Sequence, residues 1–81
     1  MKIRTNYGDS NITGKNISRL RREKGMKQKE MLARLQVSGV DISPSSLSEL
    51  EGQTRIATDK EIWAISKILG VPIELLFEET D

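Results

Sequence analysis

The sequence contains no cysteine and no histidine, and these two absences exclude several kinds of chemistry. Without cysteine the chain forms no disulfide and has no thiolate nucleophile. Without histidine it lacks the commonest general base and a usual zinc ligand. A chain of 81 residues also buries only a modest core, with little room for an enclosed catalytic pocket. We therefore expect a protein that is not an enzyme and that uses no metal and no cofactor.

Long apolar runs are missing as well. The chain starts Met1-Lys2-Ile3-Arg4-Thr5, and its apolar stretches are only a few residues long. A membrane-spanning helix needs about 20 mostly apolar residues, and a secretory signal needs a shorter apolar segment near its start. We expect neither feature, so we expect a cytoplasmic protein with no membrane partner.

The charge is divided unevenly along the chain. Up to Lys29 there are nine Lys or Arg and two Asp or Glu, which gives +7, whereas from Glu30 onward there are four and ten, which gives −6. Such a division is typical of a basic face that meets a polyanion, with an acidic remainder that faces elsewhere or meets a partner. An ordinary solvated surface would produce the same totals.

Apolar spacing and capping signals predict five short helices and no strand. In the first helix Thr13 is the predicted N-cap, Ile12 and Ile17 form a hydrophobic staple, and Gly25 ends the helix.

The second predicted helix runs from Gln28 to about Gln36, behind the weak N-cap residue Lys27. The third starts at Ser43-Pro44-Ser45-Ser46, because serine caps a helix well and proline suits the first helical position, and it runs to about Gly52. The predicted inward side chains of these two helices are Met31, Leu32, Leu35, Leu47 and Leu50.

The fourth predicted helix starts with a capping box from Thr58 to Glu61 and stops at Gly70. A short fifth helix starts at Pro72. Trp63 is expected in the core or on a dimer surface. The other predicted core residues of these helices are Ile62, Ala64, Ile65, Ile68, Leu69, Ile73, Leu76 and Phe77.

These elements predict one domain with a polar extension at each end. Residues 1–11 are expected to form a flexible arm, in which Lys2 and Arg4 could reach phosphate groups. Residues 12–77 form the helical domain, and residues 78–81 form an acidic tail.

Three segments occur in a recognisable order. The first is Lys15-Asn16-Ile17-Ser18-Arg19-Leu20-Arg21, followed by Lys24-Gly25-Met26-Lys27-Gln28-Lys29-Glu30-Met31. Next come Leu47-Ser48-Glu49-Leu50-Glu51 and Arg55, and Ile65 to Phe77 then has the pattern Ile-x-x-x-Leu-Gly-Val-x-x-x-x-Leu-Phe. From about Ile12 to Phe77 the chain resembles the Cro/phage-repressor (XRE-like) helix-turn-helix family. The resemblance implies an all-α, compact five-helix, lambda-repressor-like DNA-binding domain in which helices 2 and 3 form the helix-turn-helix.

Two registers compete for the recognition helix of this motif. In the first, Val37 to Ser43 fits the family's turn and helix opening without a gap. Pro44 opposes this register, because a proline inside a helix costs about 3 kcal/mol and pushes the preceding residue out of helical conformation. In the second register Leu47 takes the buried position, Glu51 and Arg55 match the family, and five residues lengthen the turn. We prefer the second register.

In the second register the resemblance places the third helix in the major groove of DNA. Pro44, Ser45 and Glu49 then occupy positions where relatives often hold Gln or Arg, and the neighbouring candidates are Ser43, Ser46 and Ser48. Serine bonds to several base edges and glutamate accepts from cytosine N4, but neither makes the bidentate contacts of Arg or Gln. Sequence specificity could therefore be modest, depend on DNA shape or be absent.

The resemblance also assigns roles outside the third helix. Gln28 matches a glutamine that donates to a backbone phosphate and braces the recognition helix. Arg21 and Glu51 match positions that form a structural ion pair between the first and third helices. Further phosphate candidates are Lys15, Arg19, Lys27, Lys29 and Arg55, although each could be an ordinary solvated charge.

Two functions fit these observations. The leading one is a transcriptional regulator of bacterial or phage-like type, a repressor that binds double-stranded DNA as a homodimer. We expect the dimer surface around Ile73, Leu75 and Phe77, because Leu75 is predicted to lie off the inner face of the fifth helix. The alternative is a protein-interaction module of antitoxin or adaptor type, which Pro44 and Glu49 favour and which would bind DNA only weakly.

Overall fold

The computed structural model describes residues 11–79, and this part of the chain is all-helical. The five helices are α1 (Thr13–Glu23), α2 (Gln28–Val37), α3 (Pro44–Glu51), α4 (Asp59–Leu69) and α5 (Ile73–Leu76). Residues 11–79 contain no strand, as predicted. None of these helices is long and apolar enough to cross a membrane.

The core lies where all five helices converge. Helix α1 packs against α3, α4 and α5, and α2 packs against α3 and α4. The side chains at the centre recur at helical spacing, so that each helix contributes one apolar face. They are Ile17, Met31, Leu35, Leu47, Leu50, Ile65, Leu69 and Leu76, all at most 1% exposed.

The start of α1 differs from the prediction. Thr13 was the predicted N-cap, but it is the first residue of the helix. Its hydroxyl donates to Asn11 Oδ1 at 2.8 Å. Asn11 Oδ1 also accepts from the Gly14 N–H at 3.0 Å, so Asn11 supplies the capping oxygen. Ile12 is 42% exposed, whereas Ile17 is fully buried, so the predicted staple is wrong.

Asn11 belongs to the folded unit and not to the arm. Its Nδ2 donates to the carbonyl oxygens of Leu50 at 2.9 Å and Arg55 at 2.8 Å, and the residue is buried. The predicted arm residues 1–10, with Lys2 and Arg4, lie outside the described residues, as do the last two residues of the acidic tail.

The lengthened turn between α2 and α3 follows the second register. Residues 38–43 connect the two helices, and α3 begins with Pro44 at its first position. Ser43 Oγ accepts the Ser46 N–H at 3.1 Å, which caps the helix as predicted. Val40 anchors the turn because its side chain is buried and its N–H donates to the Leu35 carbonyl oxygen at 2.9 Å.

The fourth helix has the predicted ends, whereas Trp63, which was expected in the core or on a dimer surface, does not lie in the core. Both hydrogen bonds of the capping box at Thr58 and Glu61 are present, and Gly70 ends α4 with a φ of +67°. Trp63 is 54% exposed, so it is not a core residue. The reason is that Trp63 lies roughly 200° around α4 from the buried Ile65.

Helix α5 is a single turn, and the prediction of which side chains in and next to it face the core was partly wrong. Ile73 and Phe77 are 37% and 44% exposed, whereas Leu76 is fully buried. Leu75 is half-buried and packs on the core, contrary to the exposed position expected for it. Four residues are too few to define a helical period, so the apolar pattern could not distinguish the inner side chains from the outer ones.

Candidate nucleic-acid interface

A buried ion pair connects α1 to the end of α3. Arg21 Nε lies 2.8 Å from Glu51 Oε2, and Arg21 Nη2 lies 3.0 Å from Glu51 Oε1. Arg21 Nη1 also donates to the Met26 carbonyl oxygen at 2.7 Å, in the segment between α1 and α2. The side chains of Arg21 and Glu51 are only 10% and 5% exposed. Because the contact is bidentate, it fixes the orientation of α3 relative to α1.

Gln28 extends this network to the surface of α3. Its Nε2 donates to Glu51 Oε1 at 3.0 Å, and its Oε1 accepts from Ser48 Oγ at 3.2 Å. Gln28 is the first residue of α2, and no side chain caps that helix. The backbone N–H groups at an uncapped helix start are suited to bind an anion. The side chain of Gln28 thus connects the start of α2 to α3, while its backbone forms part of the uncapped start of α2.

The outward side of α3 carries short polar side chains. Leu47 and Leu50 point into the core. Most of the predicted contact residues are exposed on the other side, namely Ser43, Pro44, Ser45, Ser48 and Glu49. Ser46 is half-buried. Ser43 Oγ and Ser45 Oγ lie 3.3 Å apart. The surface therefore presents hydroxyl groups, which donate and accept, together with one carboxylate, which only accepts.

Four of the five predicted basic residues fall into two groups. Lys27 and Lys29 are exposed at the start of α2, next to Gln28. Lys15 and Arg19 lie on α1, where Arg19 Nη1 is 3.3 Å from Glu23 Oε2 and Arg19 Nη2 donates to Asn16 Oδ1 at 3.4 Å.

Arg55 is held by a carboxylate of its own domain. Its Nη1 and Nη2 contact Glu61 Oε1 at 2.9 Å and Oε2 at 2.6 Å, and Nη1 also donates to the Ile56 carbonyl oxygen. The hydrogen bonds to Glu61 raise the pKa of Arg55. Burial by itself would raise the pKa of Glu61, but the bonds from Arg55 and Thr58 outweigh it and lower that pKa. Arg55 therefore has a structural role in fixing the start of α4.

Two buried residues that sequence reasoning did not single out, Asn16 and Gly14, position α1. Asn16 is fully buried, and its Nδ2 donates to the carbonyl oxygens of Leu76 and Glu78, both at 2.7 Å. Gly14 lies against the Leu50 carbonyl, where a Cβ would overlap the oxygen. An asparagine next to a predicted apolar position and a glycine inside a predicted helix were the available signals.

The fold and the surface together define a small helix-turn-helix domain. A family model described as helix-turn-helix, of the Cro/C1 type, matches residues 17–76. The chain belongs to this XRE-like family of DNA-binding regulator domains, which is not a family of enzymes. No curated protein and no solved structure gives a significant match.

Proposed function

We propose that this protein is a transcriptional repressor that places α3 in the major groove of an operator. The observation that carries the proposal is the exposed polar side of α3, which lies beside the uncapped start of α2. The major groove admits an α-helix and presents a different donor and acceptor pattern for each base pair. In a helix-turn-helix the residues near the start of the second helix contact the bases.

The base-reading side chains in this proposal are Ser45, Ser48 and Glu49. The two serines donate to or accept from several base edges, and Glu49 accepts from cytosine N4. Glu49 also repels phosphate, which disfavours a tight complex with unrelated sequences. The expected result is a sequence preference near the lower end of the range for specific DNA-binding proteins, about 4 kcal/mol, that includes a position requiring a cytosine·guanine pair.

The phosphate contacts in this proposal come from the start of α2. Gln28, Lys27 and Lys29 converge there, and the helix dipole favours a negative charge at the same point. Gln28 would act in two ways, because it also bonds to Ser48 and Glu51 and so sets the position of α3.

We also propose that the repressor acts as a homodimer in the cytoplasm, because palindromic operators match two-fold symmetry. Ile73, the first residue of α5, and Phe77, which directly follows that helix, have exposed apolar side chains and are the proposed dimer contacts. Sedimentation at increasing protein concentration tests this: Phe77→Ser should keep the chain monomeric, whereas Val37→Ser, at an exposed position on α2, should not.

A selection from randomised duplexes tests the proposed function. The bound pool should show one shared motif for the wild type. Ser45→Ala should lose part of that motif, and Glu49→Gln should lose the cytosine position. Ser38→Ala, an exposed serine just after α2, is the matched control and should recover the wild-type motif.

A salt titration measures the phosphate contribution separately. Gln28→Ala should weaken binding to every duplex, whereas Gln36→Ala, an exposed glutamine near the end of α2, should not. A random bound pool, with binding that disappears near physiological salt for the wild type, would contradict the repressor function.

A protein-interaction module is the second candidate, and the composition of α3 favours it. Pro44 lacks a backbone N–H, and Glu49 places a negative charge on the exposed side of the helix. A repressor should distinguish its site from random sequence by about 4 kcal/mol or more. A smaller difference, together with copurification of a protein that Glu49→Lys releases, would favour this candidate.

A further inference from the structure

One side of α4 carries an exposed aromatic ring between two lysines. Lys60, Trp63 and Lys67 are separated by three and four residues, which places them on the same side of the helix. All three side chains are exposed, and they form what we call the α4 face. The opposite side of α4 packs into the core through Ile65 and Leu69. Because tryptophan is typical of protein interfaces, an indole ring that is 54% exposed is suited to contact a partner.

The α4 face is positively charged. Lys67 Nζ lies 4.7 Å from the centroid of the Trp63 ring, which is a cation-π contact. Within residues 11–79 no ion pair connects Lys60 or Lys67 to a carboxylate. Asp59 is exposed one turn before Trp63, and the two lysines outweigh its charge. The α4 face therefore suits a partner that combines an aromatic side chain with carboxylates.

Residues 77–79 of the same chain have this composition, and we call them the acidic segment. Phe77 is 44% exposed, and Glu78 and Glu79 directly follow it and are exposed as well. In the part of the chain that the structure describes, neither glutamate forms an ion pair. The acidic segment thus presents an aromatic ring with two negative charges, and the α4 face presents an aromatic ring with two positive charges.

The buried Asn16 holds the acidic segment in a defined position. Its Nδ2 donates to the carbonyl oxygens of Leu76 and Glu78, both at 2.7 Å. These two carbonyl groups lie on either side of Phe77 in the chain, so the backbone around the exposed ring is fixed from inside the protein. A contact residue that is already fixed loses less conformational entropy when it binds. The structure therefore presents Phe77 in a form that is ready for a contact.

We propose that the α4 face binds the acidic segment of a second copy of this chain, and that the two copies make this contact reciprocally. The ring of Trp63 packs on the partner's Phe77, and the two lysines pair with the two glutamates. A two-fold dimer closes in this way, because each surface of one copy meets the other surface of its partner. The inference rests on the homodimer of the proposed function and names the surface that Phe77 contacts. A contact between the two acidic segments themselves is disfavoured, because it brings four carboxylates together.

A pair of charge-swap variants tests this arrangement by sedimentation. Lys60→Glu with Lys67→Glu makes both surfaces acidic, and Glu78→Lys with Glu79→Lys makes both surfaces basic. Each variant alone should dimerise at least about tenfold more weakly than the wild type, because its contacts become repulsive. An equimolar mixture of the two should form dimers again, because every surface then meets the opposite charge. This recovery would also show that both variants are folded.

The matched control keeps the size of the charge change but moves it elsewhere. Arg22→Glu with Lys24→Glu replaces two exposed cations at and just after the end of α1. It changes the net charge by the same amount as Lys60→Glu with Lys67→Glu. This control should dimerise as tightly as the wild type, because neither position belongs to the α4 face or the acidic segment.

Tryptophan fluorescence observes the α4 face directly, because Trp63 is the only tryptophan of the chain. Its emission should move to shorter wavelength as the protein concentration rises and the ring leaves water. Phe77→Ser should abolish this dependence on concentration. An emission maximum that is already at short wavelength and does not change with concentration would mean that the α4 face is covered within one chain, which would overturn the proposal.

The outcomes separate this inference from the proposed function. If Lys60→Glu with Lys67→Glu dimerises like the wild type, or if the charge-swap mixture does not associate, the inference is wrong and the proposed homodimer stands with another contact. If the wild type stays monomeric at every concentration, both the homodimer and this inference are wrong. The selection from randomised duplexes and the salt titration would still decide whether the protein is a repressor.

Discussion

Removal of Arg21 should strongly destabilise the protein. Arg21→Met deletes two bonds to Glu51, at 2.8 and 3.0 Å, and one to the Met26 carbonyl oxygen at 2.7 Å. Glu51 would then remain buried, and Gln28 Nε2 would still donate to its Oε1 at 3.0 Å without balancing its charge. Breaking a buried ion pair from one side typically costs about 3 to 5 kcal/mol. A chain of 81 residues has a total stability of roughly 4 to 12 kcal/mol, so the loss is a large fraction of it.

Urea unfolding followed by circular dichroism measures this loss. Arg22→Met is the control, because Arg22 is the exposed neighbour on the same helix and should change stability by less than about 0.5 kcal/mol. The double variant Arg21→Met with Glu51→Met removes both charges and should recover at least about half of the loss. If Arg21→Met resembles Arg22→Met, or if the Glu51→Met change adds to the damage, the buried pair does not have the assigned structural role.

Three further results are expected from the same unfolding assay. Gly14→Ala should destabilise the protein by about 2 kcal/mol or more, although alanine favours helices, because the new Cβ would overlap the Leu50 carbonyl oxygen; equal or higher stability would contradict this packing. In the folded protein the pKa of Glu61 is lowered from its usual 4.5, so its bond to Arg55 should contribute fully to stability above about pH 4.5. This contribution should disappear as the pH falls through the lowered pKa. Glu61→Gln should reduce this loss of stability in acid, and a pH profile equal to that of the wild type would contradict the role of Glu61. Ser43→Ala should cost about 1 kcal/mol by removing the cap of α3, and Ser43→Asp should restore stability, a rescue that would not occur if the cap were unimportant.

The fold was predictable where local signals coincide. Ser43 followed by Pro44 indicated where α3 begins, because serine favours the N-cap position and proline favours the first position of a helix. The capping box at Thr58 and the left-handed Gly70 likewise marked both ends of α4. These signals depend only on neighbouring residues, so the sequence alone contains them.

The parts that sequence reasoning placed wrongly depend on distant contacts. Asn11 caps α1 while bonding to the carbonyl oxygen of Leu50, 39 positions away, and no local pattern indicates such a partner. The pairing of Arg55 with Glu61 was also not visible in the sequence, because it depends on how the chain turns into α4; the contact of Arg55 with phosphate stays a prediction. Leu75 and Phe77 were assigned to the wrong sides of a helix too short to show a period.

The most direct test of the proposed function is a titration of isotope-labelled protein with a selected duplex, observed through its backbone amide NMR signals. The repressor function predicts that the largest shifts occur at Gln28 and Lys29 and along residues 43–49, with little change around the exposed Trp63 on α4. Shifts confined to α4 and α5, or no shift at a DNA concentration above that of the protein, would contradict the placement of α3 in the major groove.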